Sequence, residues 1–285
     1  MITVTLAPKF RKKLLERFRK RLKIGERRSG IHVSDLLFCL RKAWAERVSN
    51  FASDVPDSTI LDWLRGLSHE DLLAGDFQQV RAGYCFRCST LHPWSAELER
   101  TQRCPECEDT LMIGTVDWCE FEGDRPVLVE MKSTQYSSNR AVESFPWYLD
   151  QLKTYLAIHG ADYGYLVIFH VNGNYRNTNG TRADLQAAEI RWNSEQERVG
   201  WLKEMQRRKM IVEGDELPPL GPDSPIYDYQ CKYCMIGEKL PDGSVCERWL
   251  QAHPPSTPEQ SLEELEQWLK ARLSEHERRA EGTTE

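Results

Sequence analysis

The chain has 285 residues, 29% of them charged, and a formal net charge of −6. No run approaches the roughly 20 apolar residues of a membrane span, and no apolar N-terminal run marks a secretory signal. The composition therefore argues for a soluble, cytoplasmic protein and against a membrane partner. The charge is uneven: residues 1–50 hold fourteen Lys and Arg against four Asp and Glu, a surplus of +10 that leaves −16 for the rest. A basic arm on an acidic body still attracts phosphate, because binding follows the local field. The alternative is a solvated amphipathic helix.

In chain order, Pro8 opens a helix over 8–24, with Leu14, Leu15, Phe18 and Leu22 near helical spacing. Ser34 or Asp35 caps a second helix running through Trp44, and 58–74 reads as a third. A cysteine-rich segment, 85–107, follows. Leu111 to Glu122 and Pro126 to Ser133 read as strands joined at Glu122-Gly123-Asp124. Further elements are a helix over 147–159, a strand from Tyr163 to Val171, a strand from Leu185 to Trp192 and a helix over 194–213. After a linker at 217–226 come the last cysteines, and Ser261-x-x-Glu264 is a capping box for a terminal helix over 261–280. The order helix, strand, strand, helix, strand predicts a mixed α/β core.

Side chains two apart on a strand share a face, so Glu130 and Lys132 project together. If the two strands form a hairpin, Asp117 approaches Glu130. Two converging carboxylates suit a hard divalent cation such as Mg²⁺ or Mn²⁺, which can activate water beside a phosphodiester; Lys132 would orient that water or offset developing charge. Glu-x-Lys alone is a weak motif. It gains weight from Gln151 and Tyr155, which share a helix face at i and i+4, and from His69, whose imidazole could complete a carboxylate site.

Nine cysteines add two further patterns. Cys85-x-x-Cys88, fifteen residues, then Cys104-x-x-Cys107 fits a zinc-ribbon template, with two disulfides as the alternative. Arg87, Trp94, Arg100 and Arg103 around it could face DNA or a protein partner. Cys119 reads as a buried thiol. Cys231-x-x-Cys234 and Cys246 need a fourth ligand, and Cys39 lies far upstream.

The order His69, Asp117, Glu130-x-Lys132, Gln151-x-x-x-Tyr155 resembles the RecB-like branch of the PD-(D/E)XK nucleases, over about residues 31–250. The resemblance implies a restriction-endonuclease-like core, a mixed sheet flanked by helices. It makes Asp117, Glu130 and His69 ligands of a catalytic Mg²⁺ or Mn²⁺, Lys132 a catalytic residue, and Gln151 and Tyr155 contacts to DNA or supports of the site. Cys39, Cys231, Cys234 and Cys246 are similar to the ligands of a 4Fe-4S clasp in the iron–sulfur members, AddB and the CRISPR-associated exonuclease of spacer acquisition. The eleven residues between Cys234 and Cys246 exceed that pattern, and zinc is the alternative occupant.

The expected organisation is a basic helix at 1–30, a nuclease domain at 31–250 with a zinc ribbon inserted at 85–107, an iron–sulfur segment at 231–250 and an acidic helix at 255–285. The expected activity is metal-dependent cleavage of DNA, as an exonuclease on single strands or free ends, 5′ to 3′ by resemblance, in CRISPR adaptation, recombination or phage DNA processing. The alternative is a DNA- or partner-binding iron–sulfur subunit of a larger nuclease or integrase complex. No P-loop is present, so no ATP-driven step is expected.

Overall fold

Two four-stranded mixed sheets, meeting at Asp117, organise the computed structural model of the chain. It describes residues 8–22, 30–49, 55, 57–74, 79–123, 125–174 and 182–220, and positions between 230 and 252. Residues 1–227 and 228–285 form separate compact bodies, taken in turn. No described helix is long and apolar enough to cross a membrane.

The first body begins with α1 (Pro8–Arg21), whose Arg11 and Arg19 pair with Asp57 at 3.5 and 3.1 Å. These surface pairs offset part of the arm's charge. Strand β1 (Ile31–His32) leads into α2 (Val33–Leu37) and α3 (Leu40–Val48). Sequence predicts one helix here, capped by Ser34 or Asp35. Instead His32 is the N-cap, and its backbone N–H donates to Asp35 Oδ2 at 2.7 Å. Asp35 thus acts from the third helical position, and extended backbone at Phe38 and Cys39 separates the two helices.

Helix α4 (Asp57–Ala74) precedes β2 (Val80–Cys85), β3 (Thr90–Pro93), α5 (Ala96–Thr101) and β4 (Met112–Val116). Strands β1, β4, β2 and β3 form the first sheet in that order, with β1 and β4 parallel. Sequence reads Leu111 to Glu122 as one strand. Asp117 breaks it, and β5 (Trp118–Glu122) joins the second sheet. There β5 pairs antiparallel with β6 (Arg125–Thr134) through a tight turn whose Gly123 has φ +66°, a conformation that favours glycine. β6 runs parallel to β7 (Tyr163–His170), which pairs antiparallel with β8 (Asp184–Arg191).

The crossover between β6 and β7 carries α6 (Pro146–His159), started by proline and ended at Gly160 in the left-handed conformation. α7 (Glu195–Glu213) opens at Ser194, whose hydroxyl accepts from Glu197 N–H at 3.2 Å. One core joins these elements: Leu36, Leu40, Met112, Leu128, Leu152, Leu156, Leu166 and Met205 are all fully buried in it. Burial of such side chains contributes about 1.5–3 kcal/mol each.

In the second body, Leu240 N–H reaches Ser244 O and Gly243 N–H reaches Leu240 O, both at 2.8 Å. These two bonds close a turn between Leu240 and Ser244. α8 (Glu247–Ala252) follows Cys246. The helix expected over 261–280 lies outside the described residues.

Candidate active site and metal centre

The hairpin register of β5 and β6 pairs Trp118 with Val129, which sets Asp117 beside the middle of β6. Asp117 Oδ2 accepts the Met131 backbone N–H at 2.7 Å, so the carboxylate is fixed between the two residues that flank Met131. Glu130 is 1% exposed, and its Oε1 accepts a short hydrogen bond from Lys132 Nζ. Two buried carboxylates thus meet at this stretch of β6, one held by a backbone amide and the other by the Lys132 ammonium. Buried charge of this kind persists where it is paired or coordinated.

α6 closes the site from below. Gln151 Nε2 and Tyr155 Oη are 3.0 Å apart, linking the two predicted helix-face residues. Tyr155 can approach because Gly114 leaves room: a Cβ there would lie 3.1 Å from Tyr155 Cε1 and 3.2 Å from Ile158 Cδ1. The Tyr155 phenol is pushed above its ordinary range by burial first, then by the negative charge of Glu130, with Asp117 acting in the same sense and Lys132 and Gln151 opposing. Asp117, Glu130, Lys132, Gln151 and Tyr155 therefore share one electrostatic environment.

His69 stands apart from this group. Its ring meets Phe169 edge-on with centroids 5.2 Å apart. Phe169 is level with Ser133 in the parallel register, so by alternation both lie on the sheet face opposite Glu130 and Lys132. Among the described residues, His69, Asp117 and Glu130 do not bring their ligand atoms within 4.8 Å of one another. His69 Nδ1 is buried and has no hydrogen-bond partner among them.

The cysteine segment is compact. Ligand atoms of Cys85, Cys88, Cys104 and Cys107 all lie within 4.8 Å of one another, an arrangement that could hold a metal ion. Sγ of Cys85 is 3.5 Å from that of Cys107, and Sγ of Cys104 is 3.9 Å from that of Cys88. Sulfurs at about 2.3 Å from a tetrahedral ion would sit about 3.8 Å apart, whereas a disulfide needs about 2.05 Å. None of the nine cysteines is in a disulfide, so the disulfide alternative falls. Backbone amides aim at the sulfurs. The Asp109 N–H holds the Cys107 thiol below its ordinary pKa; at Cys104 burial pushes upward, but the Glu106 and Cys107 amides outweigh it.

Sequence reasoning missed two supports of this cluster. His92 Nε2 lies 3.3 Å from Cys104 Sγ; its place between the two cysteine pairs was the available signal. Lys209, 4% exposed on α7, contacts Asp109 at 3.3 Å and Glu213 at 2.8 Å, tying the cluster to the core. Nothing local in the sequence marks that pairing. Trp94 lies under Arg81 at 4.0 Å and donates to Glu99, and Arg103 donates to Glu108 O. Cys119 is half-buried rather than buried.

No protein-family model and no curated protein matches the chain. A solved structure titled "Crystal structure of SSO0001" is similar at a TM-score of 0.45 and 16% identity, covering 83% of this chain and 98% of that one.

Cys39 belongs to the first body, as the N-cap of α3. Cys231, Cys234 and Cys246 belong to the second, where Cys231 and Cys246 are buried and the Cys234 N–H points to Cys231 O at 3.4 Å.

Proposed function

We propose that this chain is a metal-dependent deoxyribonuclease with a PD-(D/E)XK-type centre at Asp117, Glu130 and Lys132. The observation that carries the reading is the pair of buried carboxylates set about Met131, one of them bonded to Lys132. Their oxygens suit a hard divalent cation. Asp117 and Glu130 would hold it; the resemblance adds His69 as a third ligand, but its ring packs on Phe169 at the opposite face of the sheet. When bound, the cation supplies Lewis acidity toward a phosphodiester oxygen and a lowered water pKa.

The chain's own groups do the rest. Lys132 sits within hydrogen-bond reach of Glu130, placed to orient the attacking water and to offset charge on the phosphoryl oxygens. The Met131 amide keeps Asp117 in one orientation. Tyr155, kept neutral by burial, donates no charge to the site and holds Gln151 beneath it.

Zinc is the proposed occupant of Cys85, Cys88, Cys104 and Cys107, as a structural ion. Iron–sulfur ligation by Cys39, Cys231, Cys234 and Cys246 is likewise a proposal, read out by iron and acid-labile sulfide in anaerobically purified protein.

The deciding experiment follows cleavage of end-labelled single- and double-stranded DNA with Mg²⁺ or Mn²⁺, against EDTA, for the wild type, Asp117→Ala and Lys132→Ala. Cation-dependent cleavage lost in both variants is expected. A folded, metal-replete wild type that cuts neither substrate overturns the reading and favours a binding or partner-dependent role.

A further inference from the structure

β6 leaves the catalytic lysine and runs into a loop, 135–140, that is exposed yet firmly held. His170, fully buried, points Nδ1 at Tyr136 O at 2.9 Å and Nε2 at Gln186 Oε1 at 2.9 Å. Gln186 Nε2 in turn donates to Ser138 O and, at 3.3 Å, to Arg140 O. Ser138 N–H donates to Gly173 O at 3.2 Å. The loop therefore carries the exposed side chains of Tyr136 and Arg140 on a fixed backbone.

Arg140 is held by its flat face. Its guanidinium lies 4.3 Å over the Tyr136 ring and 6.0 Å from that of Phe145. Three other arginines lie over aromatic rings: Arg81 on Trp94, Arg191 on Tyr163 and Arg208 on Trp201. Each of those is also closed by a carboxylate, from Glu99, Glu189 and Glu204 respectively. Among the described residues Arg140 has no such partner. Stacking fixes the plane of a guanidinium while leaving its edge donors for a bidentate oxyanion. The site is close to the chemistry as well: the Tyr136 ring meets Phe145 with centroids 5.8 Å apart, Phe145 stacks on Tyr148 at 5.5 Å, and Tyr148 feels the charge of Lys132.

We propose that Arg140, stacked on Tyr136, is a positioning residue that binds a backbone phosphate of the DNA strand next to the one cleaved beside Lys132. This rests on the nuclease reading above. A phosphate is favoured over a carboxylate ligand because the loop continues directly from the strand that bears Lys132, and neighbouring phosphates in one strand supply repeated oxyanions along that path.

The test measures binding of a fluorescein-labelled oligo-dT to the full chain in Ca²⁺ at several salt concentrations, then cleavage kinetics in Mg²⁺ or Mn²⁺. Arg140→Ala should weaken binding about tenfold and lower the slope of log K against log salt by about 0.7, the share of one phosphate on a single strand. KM should rise and kcat change little. Tyr136→Ala should act in the same direction, whereas Tyr136→Phe, which keeps the ring, should behave as wild type. Arg140→Lys should restore the salt slope but not the full affinity. A wild type that cleaves while Arg140→Ala keeps its affinity and slope overturns this proposal and leaves the nuclease reading intact. A wild type that neither binds nor cleaves overturns both.

Discussion

The cysteine cluster and the carboxylate centre are built in opposite ways. Four sulfurs come from two short Cys-x-x-Cys turns on one stretch of 23 residues, around the hairpin of β2 and β3. The carboxylate centre instead gathers a residue at the junction of two sheets, two from β6 and two from α6. The first arrangement needs only local turns and an ion. The second exists only once β4 and β5 have parted company at Asp117 and α6 has packed under Gly114. Ligation should therefore govern stability in one region, and packing should govern chemistry in the other.

The sharpest way to break that contrast is to remove its two ends separately. Asp117→Ala should cut cleavage on the order of 10²–10³-fold or more while leaving thermal stability near wild type, since it removes a buried charge along with a hydrogen bond. His69→Ala should cost less than Asp117→Ala in the same assay. A loss equal to that of Asp117→Ala would bring the imidazole into the metal's ligand set despite its packing on Phe169. Cys104→Ser should do the reverse of Asp117→Ala. We expect zinc to fall from one ion per chain to none and Tm to drop by about 10 °C, from a destabilisation of roughly 4 kcal/mol at about 2–4 °C for each. A Cys104→Ser protein that keeps wild-type Tm would show that the cluster is not a structural staple.

The same contrast explains what the sequence disclosed. Cys85, Cys88, Cys104 and Cys107 were legible as a ligand set because their spacing is their geometry. Asp117, Glu130 and Lys132 were legible as a pattern, and the hairpin that joins them followed from strand alternation and the turn at Gly123. The anchoring of Asp117 by Met131 was not, because a backbone amide carries no side-chain signature. Helices α2 and α3 were read as one since their apolar spacing runs on across Phe38 and Cys39, and only the extended backbone there reveals the break. The strand break at Asp117 was missed because strand-favouring residues, Val116 and Trp118, flank it on both sides, while the sheet partners change there. The side of the sheet to which α4 delivers His69 is a tertiary choice that helical periodicity leaves open.

Smaller effects sharpen the packing side of the comparison. Tyr155→Phe keeps the ring under Gly114 but loses the hydroxyl that meets Gln151 at 3.0 Å. A hydrogen bond of this kind is worth about 0.5–1.5 kcal/mol, so cleavage should fall by up to about tenfold with Tm little changed. Gln151→Ala should give a similar loss, and the double variant should add little to either, because the two side chains act through one bond. A strictly multiplicative double variant would mean that each contacts the substrate separately.

The smallest expected effect concerns acid, and it separates the two regions by their titrating groups. His159, in the last turn of α6, is held down to about 4 by burial, and its Nε2 has no hydrogen-bond partner among the described residues. The unfolded chain takes up this proton near 6.5, whereas the folded chain resists it until about 4. Between those values the unfolded state binds more protons, so stability contributed by neutral His159 is complete above about 6.5 and declines as pH falls toward 4. From pH 7 to 5.5 the loss is about 1 kcal/mol, or about 2–4 °C in Tm. His159→Asn should remove that part of the slope and leave zinc content over the same range unchanged, since the cluster's own acid sensitivity lies in its thiolates. Melting curves of wild type and His159→Asn between pH 5 and 7, with zinc measured in parallel, test this. Identical slopes would return the acid sensitivity to the cysteine region, and the two halves of the molecule would then share one determinant of stability rather than two.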